Sequence, residues 1–386
     1  MSQYTHHIAI LGAGTIGLST TAMHLRRPDT TVTIFDPRPD AEAQIHAQLP
    51  SFLDDPTIIT APSMMNTETN LNNPDVPVPS PHQSRPHPHL RLRLATSIQD
   101  AVQNATIVQE QTPELLSSKQ SLWQEVSRFA SPTAHLWSSS SGIPASAQAQ
   151  TCCPSDRGDV RTRLLVVHPF NPPHVMPLVE IVPGPLTSAE RVRFAEEYFR
   201  EIPAPVGVDS VLPSSSSSPS PSPSPSFYRP VTLQKEIPGF VGNRLAFALL
   251  REACHLVGEG VVTAQDLDTI VTSSLGPRWA GSGVFESYHA GGGPGGIGAF
   301  LDKLAPTIRD VWAQLGTPVT PAEEERGQTR QNGGDSVDKG DGKWRQMVVT
   351  QTEQAYGLEV SEDTRARKEK MLKGVLELQQ RNLQEE

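Results

Sequence analysis

Residues 7–36 read HIAILGAGTIGLSTTAMHLRRPDTTVTIFD, and this stretch decides the fold. The apolar run His7-Ile8-Ala9-Ile10-Leu11 has strand character. Gly12-Ala13-Gly14-Thr15-Ile16-Gly17 follows it, then a helical stretch, then a second strand, Val32-Thr33-Ile34-Phe35, that stops at Asp36. A glycine string alone is weak evidence; its place between a strand and a helix gives it meaning. Gly12 permits a tight turn, Gly14 lets the backbone approach a pyrophosphate, and Gly17 lets helix and strand pack closely. The helix N-terminus attracts the phosphates. Gly12, Gly14, Thr15, Ile16 and Gly17 are therefore the expected phosphate-binding turn. Asp36 stands 19 residues beyond Gly17, where a carboxylate accepts ribose hydroxyls and repels a 2′-phosphate. The expected cofactor is NAD rather than NADP, although the nearby Arg38 softens that preference.

Outward from this stretch the pattern alternates. Residues 56–89, rich in Pro, Asn and His, read as an inserted loop, and Leu90-Arg91-Leu92-Arg93-Leu94 alternates like a strand. Helical sequence from Ser97, a short strand near Thr106-Ile107-Val108, a helix over 114–129 and a strand end at Leu136-Trp137 follow. Residues 145–162 lack periodicity and read as a second insertion. Residues 213–226 contain only Pro and Ser, so 211–228 is expected to be a disordered insertion, because such a segment buries too little apolar surface to offset its chain entropy. From Gly239 the character is helical. Leu245, Leu249, Ala253 and Leu256 recur at helical spacing and predict one buried face. Residues 297–315 look helical, with Pro306 as a break or kink. The expected architecture is an α/β Rossmann-type dinucleotide-binding domain over 1–210 followed by an all-α C-terminal domain over 229–319. A polar loop over 320–343 and a helical tail over 344–386 complete it.

Composition bounds the function. The chain has 386 residues and a formal net charge of −10, which argues against a nucleic-acid binder needing a basic face. No apolar run approaches the roughly 20 residues of a membrane helix. Cys152, Cys153 and Cys254 give neither a disulfide framework nor metal-ligand spacing, so no metal is expected. The N-terminus leaves no room for a signal peptide before the first strand, and the expected location is cytoplasmic.

A second constellation carries chemistry. His168-Pro169-Phe170-Asn171-Pro172-Pro173 closes the apolar run Leu164-Leu165-Val166-Val167, and Glu180 lies within Leu178-Val179-Glu180-Ile181-Val182. If these two strands pair antiparallel across the Pro-rich turn, imidazole and carboxylate can meet. The carboxylate then fixes the tautomer and raises the basicity of the other ring nitrogen. Such a pair removes a hydroxyl proton while hydride leaves the same carbon. On spacing alone the two read as ordinary polar residues at strand ends, since an isolated His is more often structural.

Taken in order, the glycine turn, Ser138 to Ser141, His168-Pro169-Phe170-Asn171-Pro172, Leu178-Val179-Glu180 and Gly239-Phe240-Val241-Gly242-Asn243-Arg244 resemble the 3-hydroxyacyl-CoA dehydrogenase family. Pro113-Glu114 with Lys119, the doubled Pro172-Pro173, and Gly276-Pro277-Arg278-Trp279-Ala280 before Phe285-Glu286 look closer to its λ-crystallin / L-gulonate 3-dehydrogenase branch. The resemblance implies His168 as general base in oxidation and Glu180 as its orienting partner. It implies Ser141 on the substrate oxygen and Asn243 holding the substrate or the His168 neighbourhood. Glu114 and Lys119 would line the nicotinamide-ribose region. It also implies a homodimer. Leu115 stands where the family carries Asn.

Arg278 separates substrates, because a guanidinium holds a free carboxylate bidentately and a thioester offers no such charge. The expected activity is NAD-dependent oxidation of the 3-hydroxyl of a small, L-gulonate-like hydroxy acid. One alternative is an L-3-hydroxyacyl-CoA dehydrogenase of fatty-acid or secondary metabolism. The other is a non-catalytic, crystallin-like NAD-binding protein.

Overall fold

A computed structural model describes residues 4–53, 91–154, 158–203, 227–316 and 343–385. The expected loop at 56–89, the expected loop at 320–343 up to Lys343, which opens a helix, and the Pro/Ser run itself lie outside these residues. The chain divides into two compact units, Met1–Val241 and Gly242–Glu386.

The first unit is built on one eight-stranded sheet of order β3-β2-β1-β4-β5-β6-β7-β8. Its strands are β1 (His6–Leu11), β2 (Thr30–Phe35), β3 (Leu92–Leu94), β4 (Ile107–Glu110), β5 (His135–Ser138), β6 (Leu164–Pro169), β7 (Leu178–Pro183) and β8 (Arg229–Thr232). The first six run parallel in the doubly wound order, which places the ligand crevice at the carboxyl ends of β1 and β4, where the order reverses. β7 turns back antiparallel to β6, and β8 runs parallel to β7. The helices are α1 (Thr15–Leu25), α2 (Ala41–Gln48), α3 (Ile98–Val102), α4 (Leu116–Phe129), α5 (Ala145–Gln148), α6 (Val160–Arg163) and α7 (Ala189–Arg200).

Both faces of the sheet are covered. Ile8 and Ile10 pack with Leu18, Met23, Tyr198 and Phe199 on one face, while Ala9 and Leu11 pack with Trp123, Val126 and Phe240 on the other. Successive strand side chains point to opposite faces, so a strand buried on both sides reads as the continuous apolar run seen from Ile8 to Leu11.

Three expectations require correction. Residues 145–162 are not a featureless loop: they carry α5 and α6, and Ala145, Ala149, Cys152 and Val160 join the second core face. Gln148 is fully buried and accepts from Trp123 Nε1 at 2.9 Å. Each helix is about one turn long, too short to show a period. Phe227 and Tyr228, assigned to the end of the Pro/Ser insertion, are core residues. β8 beyond them completes the sheet, so the first unit ends at Val241 rather than near 210.

The second unit comprises α8 (Gly242–Gly258), α9 (Ala264–Ile270), α10 (Gly276–Gly281), α11 (Val284–Gly291), α12 (Gly296–Gln314), α13 (Lys343–Tyr356) and α14 (Glu362–Glu385). Pro306 lies inside α12 without ending it. α13 packs along α8 and α9, with Tyr356 donating to Asp268 at 2.7 Å. The predicted buried face of α8 is not formed among the described residues. Leu245 and Leu249 are exposed, and so are Phe247 and Leu250. α8 is apolar nearly all round its first half, which demands more covering surface than α9 and α13 supply. No helix among the described residues is long and apolar enough to cross a membrane.

Candidate active site

The glycine turn connects β1 to α1 and is shaped for a pyrophosphate. Gly12 sits at φ 112°, and a Cβ there would come within 2.9 Å of the Gln111 carbonyl oxygen. A Cβ on Gly17 would come within 2.0 Å of the Gly12 carbonyl oxygen, so only glycine lets α1 start this close to the turn. Gly14 faces open space, with no atom within 4 Å of a would-be Cβ. Asp36 closes the turn from β2: its Oδ2 accepts from the Ala13 amide at 2.7 Å. Burial by itself would raise this carboxyl's pKa. Hydrogen bonds from the Arg38 side chain and from the Ala13 and Arg38 amides outweigh it and hold the pKa below the usual carboxylate range.

Polar groups on and just beyond α1 are met from β4, from α7 and from the β6–β7 connection. His24 is fully buried between Tyr198 Oη at 2.8 Å and Gln109 Oε1 at 2.7 Å, and burial pushes its pKa down to about 4. Ser19 bonds His174 Nδ1 at 2.7 Å, and Arg26 donates to the His174 carbonyl at 2.8 Å. The segment that follows His168 is thereby fastened to the helix of the glycine turn.

His168 closes β6 at the same carboxyl edge. The β6–β7 register sets it directly opposite Glu180. Its Nδ1 lies 2.8 Å from Glu180 Oε2, and the two side chains are 6% and 3% exposed. An ionised carboxylate only accepts, so Nδ1 carries the proton and Nε2 is left with its lone pair. Glu180 Oε1 accepts the Val241 amide at 3.0 Å. Phe170 and Phe240 pack on the imidazole, with centroids at 5.0 and 5.5 Å.

A second carboxylate cluster caps β4 and β5. Glu110 is fully buried; its Oε1 accepts from Lys119 Nζ at 2.7 Å and from the Thr112 amide and hydroxyl, both at 2.6 Å. Its Oε2 accepts from Ser138 Oγ at 2.6 Å. Glu110 and Thr112 were not singled out in the sequence, and Ser138 only as the start of the serine run. The available signal was a carboxylate ending an apolar strand nine residues before a lysine. Lys119 itself lies inside the wall rather than on its surface, only 1% exposed, and reaches Glu114 Oε2 at 3.4 Å. Glu114 Oε1 accepts Ser140 Oγ and the Ser141 and Gly142 amides, the latter two at 3.0 and 2.9 Å. Ser141 is the exposed member of the serine run. Asn243 lies in the first turn of α8 and Arg278 in α10, both in the second unit.

Comparison with known proteins fits this geometry. Residues 7–210 match the model of the 3-hydroxyacyl-CoA dehydrogenase NAD-binding domain, and residues 239–315 match that of the 3-hydroxyacyl-CoA dehydrogenase C-terminal domain. The chain belongs to the 3-hydroxyacyl-CoA dehydrogenase family. It is an NAD-dependent oxidoreductase of that family, and the glycine turn with its open face at Gly14 fits the dinucleotide. A 3-hydroxyacyl-CoA dehydrogenase of Gibberella moniliformis is 38% identical over 214 residues, 55% of this chain and 58% of that protein. An L-carnitine dehydrogenase of Streptomyces coelicolor is 31% identical over 311 residues, 81% of each chain. The fold is shared with the crystal structure of an NAD+-dependent 5-formyl-3-hydroxy-2-methylpyridine 4-carboxylic acid 5-dehydrogenase, at TM-score 0.58, 22% identity and 97% coverage of both chains.

Proposed function

We propose that the chain oxidises the 3-hydroxyl of a small free 3-hydroxy acid, of the L-gulonate or L-carnitine kind, to the 3-keto acid. The His168–Glu180 pair carries this reading: a buried imidazole is held in one tautomer at the carboxyl edge that also bears the dinucleotide turn. NAD, when bound, accepts the hydride from the substrate carbon. His168 Nε2 takes the hydroxyl proton as the C–O bond becomes a carbonyl, and Glu180 stabilises the imidazolium formed. In reduction His168 returns that proton.

Ser141 is assigned to the substrate oxygen on the family resemblance and because it is the exposed member of the serine run. Asn243 is assigned to the substrate or to the His168 neighbourhood. Glu114 is assigned to the nicotinamide-ribose side, with Lys119 positioning it from within. Arg278 is assigned to the substrate carboxylate, the feature that separates a free acid from a thioester. A homodimer accounts for the apolar surface of α8, which a second copy would cover. A cytoplasmic location suits the three free thiols.

The test is a panel of L-gulonate, L-carnitine, 3-hydroxybutyrate and 3-hydroxybutyryl-CoA, followed by NADH absorbance for the wild type and Arg278→Ala. The free acids should be preferred, and Arg278→Ala should raise their KM by about ten-fold or more, the loss expected for a bidentate charged contact. Strong preference for the thioester, untouched by Arg278→Ala, would establish the acyl-CoA reading instead. NADH binding without turnover on any substrate would make the chain a non-catalytic relative.

A further inference from the structure

An ionised carboxylate offers about four acceptor directions. At Asp36 four donors occupy them. Oδ1 accepts from the Arg38 amide at 3.0 Å and Arg38 Nε at 2.8 Å. Oδ2 accepts from the Ala13 amide at 2.7 Å and from a terminal guanidinium nitrogen of Arg38 at 2.9 Å. The two backbone donors tie β2 to the glycine turn and shape the chain beyond it. The two side-chain donors form a bidentate lid: Asp36 is 6% exposed beneath an Arg38 side chain that is 42% exposed. The other terminal nitrogen of Arg38 donates to Gln44 Oε1 on α2 at 2.9 Å, and Gln44 in turn donates to Asp40. The guanidinium is thus held from two sides over the carboxylate that must receive an adenosine ribose.

A ribose diol can reach Asp36 only by displacing the two side-chain donors of Arg38. A 2′-phosphate meets a different surface. The carboxylate that should repel it is neutralised, and the group in front is a planar cation suited to paired contacts with phosphate oxygens. We propose that Arg38 sets the nucleotide selectivity of this chain by competing with the adenine ribose for Asp36, so that NAD binds less tightly than at an open aspartate and NADP is admitted as a weaker second cofactor. The proposal rests on NAD occupying the glycine turn and is independent of the substrate.

The test is fluorescence titration of NADH and NADPH into wild type, Arg38→Ala and Gln44→Ala, with no substrate present. Arg38→Ala keeps the backbone amide that bonds Asp36 and removes only a half-exposed side chain, so the fold should stay intact, and thermal melts check this. Displacing a half-exposed ion pair costs little, so Arg38→Ala should lower the NADH Kd by about three- to five-fold. The same variant exposes the bare carboxylate and removes the phosphate partner, so the NADPH Kd should rise by about ten-fold or more. Gln44→Ala, which frees one side of the guanidinium, should shift the NADH Kd in the same direction by a smaller factor. Values unchanged within two-fold in Arg38→Ala, or a rise in the Kd of NADH, would overturn the competition. Failure of the wild type to bind either nucleotide would overturn the dinucleotide site itself and this proposal with it.

Discussion

Glu180→Gln isolates the carboxylate's charge from its shape. Each oxygen of Glu180 accepts an N–H, Oε2 from His168 Nδ1 at 2.8 Å and Oε1 from the Val241 amide at 3.0 Å. Glutamine keeps one acceptor oxygen and turns the other position into a donor. If its oxygen faces His168, the half-buried Val241 amide meets another donor in place of its acceptor. If its oxygen faces Val241, the amide NH2 confronts Nδ1, the ring proton moves to Nε2, and the atom meant to accept the substrate proton is blocked. In either orientation the imidazolium formed during oxidation loses its counter-charge. At a separation near 4 Å and an effective dielectric constant of about 20, that interaction is worth roughly 4 kcal/mol. At about 1.36 kcal/mol per decade, kcat should fall about 1,000-fold. The NADH Kd, read by fluorescence titration, should stay within two-fold, because the glycine turn is untouched. A variant with an intact thermal melt and a kcat within ten-fold of wild type would refute the argument that this carboxylate polarises His168.

The glycine turn yields a paired prediction. Gly14→Ala should fold with an unchanged melting temperature yet lose NADH binding, since its Cβ meets nothing in the chain but stands where the pyrophosphate approaches; Gly17→Ala should fail to fold stably, because its Cβ overlaps the Gly12 carbonyl. His24 makes stability pH-dependent. Its folded pKa of about 4 lies below the ordinary histidine value of 6.5, so between pH 6.5 and 4 the unfolded chain takes up a proton that the folded chain refuses. Stability should be full above pH 6.5 and decline by roughly 3 kcal/mol towards pH 4, and His24→Gln should flatten that part of a denaturation-versus-pH series. Ser141→Ala should impair turnover without moving the melting temperature. Ser140→Ala, which releases Glu114, should lower the melting temperature and weaken NADH binding together.

The parts legible in the sequence are those whose partners are close along the chain or fixed by strand register. The glycine turn and Asp36 fall within one strand–helix–strand unit. His168 and Glu180 are 12 residues apart on adjacent strands, so a single antiparallel pairing brings them together. Glu110 was opaque because its donors come from Thr112, from Lys119 on α4 and from Ser138 at the end of β5, and local spacing does not encode that convergence. Lys119, expected along the nicotinamide-ribose region, gave no sign in its spacing that it would be buried against Glu110. The stretch 145–162 was misread because one-turn helices carry no period, although their small apolar residues fill the core under α4. The spacing of Leu245, Leu249, Ala253 and Leu256 correctly marks a helix. A period, however, cannot say which molecule covers an apolar face.

The serine run shows how structure separates residues that sequence cannot. Ser138, Ser139, Ser140 and Ser141 are chemically identical, and motif matching alone leaves the register open by one position. At a strand end successive side chains point to opposite sides. Ser138 turns to Glu110, Ser139 to Gln109 and Gln111, and Ser140 to Glu114. These contacts tie the end of β5 to β4 and to the approach to α4, the same two segments that Glu110 and Lys119 join. The segment that carries Ser141, proposed to meet the substrate oxygen, is therefore clamped immediately before that exposed residue. A rigid base beneath Ser141 matters because a positioned donor contributes to catalysis only if it need not reorganise as charge develops on the substrate oxygen. With Ser141 in the proposed role, the buried Glu110–Lys119 pair serves the chemistry through the geometry it imposes on its neighbours.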